Sequence, residues 1–149
     1  MSYQDLSEKG KLDVLRKKFR FNQLVRLDLD EGRVRRNFVK PKEVENVIYA
    51  IAIDDELKYI GKTKDLWKRM DTYRSSKYWK NANPSNVDKT EKLETAIKAG
   101  QKVELYIRKC VSINIDTEVG DILITTMHSE ETRFIKQFKP LWNIQFGKI

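Results

Sequence analysis

Residues Val47 to Arg69 read VIYAIAIDDELKYIGKTKDLWKR, and the fold turns on how this stretch is read. Val47-Ile48-Tyr49-Ala50-Ile51-Ala52-Ile53 is apolar on both faces, the pattern of a strand covered on two sides. Asp54-Asp55-Glu56 turns the chain, and Leu57 to Ile60 pairs back as the second arm of a hairpin. Gly61 closes that arm where a side chain would crowd an approaching backbone or ligand. Asp65 stands as an N-cap, and Leu66, Met70 and Tyr73 then share one helical face. Arg69 sits at the edge of that face, so it can point along the sheet rather than straight into water.

Upstream, Leu12, Leu15 and Phe19 fall at helical spacing within a polar, basic segment, which predicts a short amphipathic helix. Leu24 to Leu29 reads as a strand, Asp30-Glu31-Gly32 as a tight turn and Val34 to Val39 as the return strand, ended by Pro41. Residues 1–40 carry 11 Lys+Arg against 6 Asp+Glu. Arg33, Arg35, Arg36 and Lys40 gather on the return strand. They make either a solvated outer face or an arm that grips phosphate, and the charge asymmetry favours the arm.

Downstream, residues 74–88 are rich in Ser, Asn and Lys and read as a polar insertion. Its Lys77-Tyr78-Trp79-Lys80 run alternates cations with flat rings, suiting nucleic acid or, equally, an aromatic pair pinning a loop to the core. Asp88 with Glu91 resembles a capping box for a helix through Ala99, stopped by Gly100. Val103 to Ile107 alternates as a strand, Asn114 to Glu118 reads as a polar turn, and Ile122 to Thr126 as another strand. Ser129 caps a helix from Glu130 to about Phe138, which Pro140 ends. The expected fold is α+β: a small, mainly antiparallel sheet flanked by helices, with a basic N-terminal helix and hairpin arm over 1–45 and a main domain over 46–149.

Composition narrows the function. A chain of 149 residues, 40% hydrophobic and 35% charged, can bury one good core and is too apolar for disorder. The formal net charge of +8 favours a polyanionic partner, although a merely basic protein carries the same surplus. The single cysteine, Cys110, excludes an internal disulfide and any cysteine-based zinc site, and fits a reducing cytosol. No stretch approaches 18 apolar residues, and residues 1–13 hold no apolar signal core, so a soluble cytoplasmic protein without a membrane partner is expected. There is no Walker loop, dinucleotide fingerprint or zinc spacing, and His128 is the only histidine. Tyrosines, basic residues and isolated acids remain. Phosphodiester cleavage can be built from that set, given an activated water, a divalent cation and positive charge where the transition state gathers negative charge.

Val47-Ile48-Tyr49 followed, after nine residues, by Tyr59-Ile60-Gly61 resembles the signature pair of the GIY-YIG nuclease superfamily, with Val47 in place of the first glycine. Three further elements follow in the family's order: Arg69 on the first helix after the pair, Glu131, and Asn143 twelve residues later in ETRFIKQFKPLWN. VIYAIAI, DEL, YIGKTK and FIK…WNIQ narrow the resemblance to a bacteriophage branch that cuts unmodified host DNA. The fold and activity implied are those of a metal-dependent endonuclease acting on double-stranded DNA in the cytoplasm of an infected bacterium.

The resemblance also implies roles. Tyr49 would help deprotonate the attacking water, with Lys62 as a nearby cation, because a free phenol has a pKa of about 10. Tyr59 would bond the phosphate or the water, and Arg69 would stabilise the transition state through its planar donors. Glu131 would hold one Mg²⁺ or Mn²⁺, whose hydrated shell suits a single carboxylate. Glu130 stands beside it as an alternative, and the spacing to Asn143 favours Glu131. Asn143 would orient the Tyr49 hydroxyl, Tyr73 stands where relatives place His or Tyr, and Lys64 joins the expected DNA contacts. One site cuts one strand, so a double-strand break needs two sites or a flip. A dimer or tetramer formed through the polar insertion or the N-terminal arm would supply the second site. A non-catalytic DNA-binding module and the nicking subunit of a repair complex are the alternative readings.

Overall fold

The computed structural model describes residues 2–38 and 44–145. Helix α1 (Glu8–Lys18) leads into the hairpin of β1 (Asn22–Asp30) and β2 (Arg33–Arg35). Strands β3 (Glu45–Ile53) and β4 (Glu56–Asp65) form the second hairpin, followed by α2 (Leu66–Ser75) and α3 (Pro84–Lys98). Then come β5 (Val103–Lys109), β6 (Ser112–Thr117), β7 (Gly120–Thr125), α4 (Met127–Phe138) and α5 (Leu141–Gln145). Five strands make one sheet in the order β2-β1-β5-β3-β4, with every pairing antiparallel, and β6-β7 is a separate ribbon. This is the expected α+β class.

Strand β3 lies between β5 and β4, and its two apolar faces feed two cores. Val47, Tyr49, Ile51 and Ile53 join Leu66, Met70 and Tyr73 of α2 and Leu93 and Ala96 of α3. Ile48, Ala50 and Ala52 join Leu12 and Leu15 of α1 and Phe134, Ile135 and Phe138 of α4. Burying an aliphatic side chain contributes about 1.5–3 kcal/mol, so a strand with seven consecutive buried residues anchors both layers. Asp54 and Asp55 have φ of 50° and 65°, the left-handed pair that a two-residue hairpin turn demands. Asp54 Oδ1 accepts from the Lys102 amide at 2.8 Å, tying that turn to the start of β5.

Five details differ from the sequence reading. The return strand β2 covers only Arg33–Arg35, because the Asn37 side chain donates to the Arg26 carbonyl at 2.7 Å in place of a ladder amide; Val39 to Pro41 lie outside the described residues. The boundary expected at residue 45 falls at the start of β3 and does not divide the sheet, since β1 is hydrogen-bonded to β5. Helix α3 starts at Pro84 rather than Asp88: Asn83 caps it, and a proline without an N–H is tolerated at the first helical position. Ser112–Thr117 is a strand rather than a turn, because Ile113 and Ile115 alternate with polar residues, and the chain reverses at Glu118-Val119. Helix α4 begins at Met127, with Thr126 rather than Ser129 in the cap position.

Candidate active site

The site is built on β4, the outer strand of the sheet. Tyr49 stands opposite Gly61 and Ile51 opposite Tyr59, so both tyrosine rings lie on one face, their centroids 6.0 Å apart. A Cβ on Gly61 would lie 2.7 Å from Tyr59 Cε2 and 2.8 Å from Tyr49 Oη. The missing side chain is thus the space in which the two rings sit. From α2, Tyr73 meets Tyr49 in a short hydroxyl–hydroxyl hydrogen bond. Tyr49 and Tyr73 are fully buried, and burial, the largest effect, raises both phenols above their ordinary range. Neighbouring Tyr73 and Tyr59 raise Tyr49 further, while the Arg69 guanidinium pulls it down.

A cavity of about 500 Å³ opens over this floor, lined by Tyr49, Tyr59, Lys62, Arg69, His128 and Glu131 among others. Successive residues of β4 point to opposite faces, so Lys62 turns to the α4 side, where its Nζ lies 3.3 Å from Glu131 Oε1. The cavity therefore wraps the open edge of β4, with the tyrosines on one side and Glu131 on the other. Glu130 is engaged elsewhere. Its Oε1 accepts from Arg108 Nε at 2.7 Å, and its other oxygen accepts from the Thr126 hydroxyl. Burial pushes this carboxyl up, but the Thr126 and Arg108 hydrogen bonds outweigh it and hold the group below its ordinary range. Among the described residues no three His, Cys, Asp or Glu side chains gather as a ligand cluster. A lone carboxylate beside a roomy cavity fits an ion that keeps most of its own water, as Mg²⁺ does.

Asn143 does not reach Tyr49. It is fully buried, accepts from the Ile60 amide at 2.9 Å and donates to the Ile60 carbonyl at 2.8 Å. Ile60 faces Ala50 in the ladder, and its own amide and carbonyl turn away from β3 toward the open edge. Asn143 from α5 thus satisfies the backbone between Tyr59 and Gly61 and fixes the strand rather than the hydroxyl.

The expected DNA contacts divide. Arg35 pairs with Asp28 through Nε at 2.8 Å. Arg36 bonds Asp71 at 2.9 Å and lies 3.4 Å over the Trp67 ring, and Arg33 lies 3.8 Å over Tyr78. Arg35 thus ties β2 to β1, whereas Arg33 and Arg36 fasten the hairpin to the α2 side, as does Arg74, which donates to the Val34 carbonyl at 3.0 Å. Lys77 pairs with the buried Glu94 at 2.7 Å. Lys64, Trp79 and Lys80 are exposed. Lys64 lines a shallow groove with Lys68, Thr72 and Arg69, and Arg69 also borders the main cavity. Lys40 lies outside the described residues.

Two residues escaped the sequence reading. His128 borders the cavity with Glu131, Thr132 and Ile135. Their spacing of three, four and seven is one helical face, a signal the isolated histidine concealed. Lys89 is 2% exposed and donates to Tyr59 Oη at 3.1 Å. It precedes Leu93 and Ala96 by four and seven positions, on the inward face of α3.

Sheet, flanking helices and edge cavity define the class: a small α+β protein with a cavity at the open edge of an antiparallel sheet. The chain belongs to the endonuclease II family, being 42% identical over 130 residues to Endonuclease II of Enterobacteria phage T4, with 87% of this chain and 94% of that protein covered. A solved glutamate-to-alanine mutant of bacteriophage T4 EndoII has the same fold, with a TM-score of 0.75 at 38% identity over 89% of this chain and 98% of that one. The restriction endonuclease HPY188I, solved with product DNA, is alike in fold alone, with a TM-score of 0.59 at 19% identity over 90% of this chain and 83% of that one. No protein-family model matches the chain.

Proposed function

We propose that this bacteriophage endonuclease is metal-dependent and cuts double-stranded host DNA that lacks the phage's own base modification. The observation that carries the chemistry is the convergence of Tyr49, Tyr59, Lys62, Arg69 and Glu131 on one cavity. Tyr49, in its ionised form, takes the proton of the attacking water; the charge of Arg69 favours that form, and the hydrogen bond to Tyr73 holds the oxygen in place. Arg69 and Lys62 place positive charge where the five-coordinate phosphorus gathers negative charge. Glu131 would hold one Mg²⁺ or Mn²⁺, which when bound supplies further positive charge beside the scissile phosphate. Asn143 and Gly61 act on the strand, one by holding its backbone and the other by leaving room for the rings. The groove of Lys64 and Lys68 continues from Arg69 and suits the flanking phosphates of the cut strand. Among the described residues no helix is long and apolar enough to cross a membrane, and the DNA would be met in the cytoplasm of the infected bacterium.

Supercoiled plasmid tests this reading. With Mg²⁺, the wild type should nick or linearise the plasmid, and EDTA should stop it. Glu131→Ala should bind but not cut, while Glu130→Ala should keep cutting at reduced stability. Cutting by Glu131→Ala at the wild-type rate would move the metal elsewhere. Failure of the wild type with every divalent ion would leave a DNA-binding module.

A second copy of the chain is the further partner we propose, through the ribbon rather than the polar insertion or the N-terminal arm. Ile113 pairs with Ile124 and Ile115 with Ile122, so four isoleucines share one face, each 41–55% exposed. A two-stranded ribbon is marginal by itself, and such a face favours being covered. A second copy would also bring the second site that a double-strand break needs. Sedimentation of Ile115→Lys/Ile124→Lys should give monomers where the wild type gives a larger species; a monomeric wild type would remove this partner.

A further inference from the structure

Lys89 is one of the largest fully buried side chains of the protein, a cation-bearing group placed among the site's aromatic rings. Burying an ammonium is costly unless it is hydrogen-bonded, so its surroundings define its use. Its Nζ donates to Tyr59 Oη at 3.1 Å, lies 4.3 Å from the Tyr59 ring centroid and 5.9 Å from that of Tyr73. Lys89 does not itself line the cavity that Tyr59 borders.

We infer that Lys89 is a positioning residue that makes Tyr59 a hydrogen-bond donor toward the scissile phosphate. An ammonium has three donors and no acceptor, whereas a phenolic oxygen can do either. Bonded to Lys89, the Tyr59 oxygen must accept, so the phenolic proton is turned away from Lys89 and can be offered to a phosphate in the cavity that Tyr59 borders. The same contact draws electron density from the oxygen and strengthens that donor. Tyr59 then serves a non-bridging phosphate oxygen rather than taking a proton from the attacking water, and the two tyrosines divide the work: Tyr49 receives a proton and Tyr59 offers one. Packing of the ammonium over two ring faces holds this arrangement without a residue inside the cavity. Lys89 itself touches no substrate.

The inference rests on the nuclease reading, and a double-mutant cycle on plasmid nicking separates the two. Lys89→Met keeps length and bulk but loses the donors. Its kcat should fall about 100-fold, the lower end of the loss when one transition-state donor is removed, while KM stays within about twofold. Tyr59→Phe should lose a comparable factor. The pair together should be no slower than Tyr59→Phe alone, because Lys89 acts through that hydroxyl. Near-wild-type cutting by Lys89→Met, or losses that multiply in the double variant, would overturn the role. If Lys89→Met melts below the assay temperature, Lys89→Leu, which also lacks a donor, takes its place under the same two criteria. Absence of cutting by the wild type defeats the nuclease reading instead. The donor geometry is then read by ¹⁵N-lysine NMR, in which a slowly exchanging Lys89 ammonium signal should be present in the wild type and shift or vanish in Tyr59→Phe. No change on that substitution would sink the inference independently of any cutting.

Discussion

Tyr49 and Gly61 face each other across the β3–β4 ladder, and a side chain on Gly61 would meet the Tyr49 hydroxyl at 2.8 Å. The neighbouring Tyr59 ring would be met at 2.7 Å, so one added methyl group displaces both tyrosines at once. Gly61→Ala should leave DNA binding nearly intact while lowering the nicking rate about 100-fold, the loss typical of a misplacement near 1 Å. Gel-shift and plasmid assays on the same preparation measure the two quantities. Wild-type nicking by Gly61→Ala would mean that the rings are free to move aside.

Burial raises the Tyr49 phenol above its ordinary value, so at neutral pH only a small fraction carries the charge a base needs. The nicking rate should therefore rise with pH through the alkaline range, by close to tenfold per pH unit while the phenol remains mostly protonated. Arg69 pulls the Tyr49 value down, so Arg69→Met should shift the rise to higher pH as well as lower its height. A profile flat from neutral to alkaline pH would take the proton transfer away from Tyr49.

The same buried phenols set the alkaline limit of stability. Above the ordinary tyrosine value the unfolded chain releases protons that folded Tyr49 and Tyr73 retain. Their contribution is complete below that value and is lost as pH climbs toward the folded one, at about 1.4 kcal/mol per pH unit for each residue. Urea melts of Tyr73→Phe, compared with wild type, should show a shallower fall between pH 10 and 11. Equal slopes would place Tyr73 in water.

Asn143 closes two backbone bonds at Ile60, in the middle of the strand that carries the site. Asn143→Ala strands a buried amide and a buried carbonyl, which should cost roughly 2–4 kcal/mol in urea unfolding. Asn143→Asp keeps the acceptor and should cost less where the carboxyl is protonated. A variant as stable as wild type would show water replacing both bonds.

The hairpin, its turn and α2 were legible because each depends on local rules. Continuous apolar residues mark β3, the paired aspartates mark the turn, and Asp65 caps α2 with a bond to the Lys68 amide. Tyr49, Tyr59 and Arg69, singled out through the resemblance to the GIY-YIG family, lie on those same elements and border one cavity. What stayed hidden is settled only when distant segments meet. Lys89 reads as a solvent residue until α3 packs against Tyr59, and Asn143 reads as a partner for Tyr49 until α5 lands on the edge of β4. Asn114 to Glu118 read as a polar turn, because sequence alone could not supply the partner strand that pairs Asn114 to Thr117.

The arginines of the hairpin show how charge counts mislead about DNA. Arg35 and Arg36 are paired with Asp28 and Asp71, and Arg33 is stacked on Tyr78. Lys64 and Lys80 are exposed, and Lys64 borders the groove that continues from Arg69. A phosphate that displaces an aspartate from an arginine releases fewer condensed ions than one that meets an exposed lysine, since the protein's own anion has already done part of the neutralising. Measured with Glu131→Ala to prevent cutting, the log–log slope of affinity against salt should flatten by about one unit for Lys64→Glu. Arg35→Glu should change that slope less and should lower the melting temperature, because it sets two carboxylates side by side at Asp28. Equal flattening by both substitutions would return the hairpin arginines to the DNA interface.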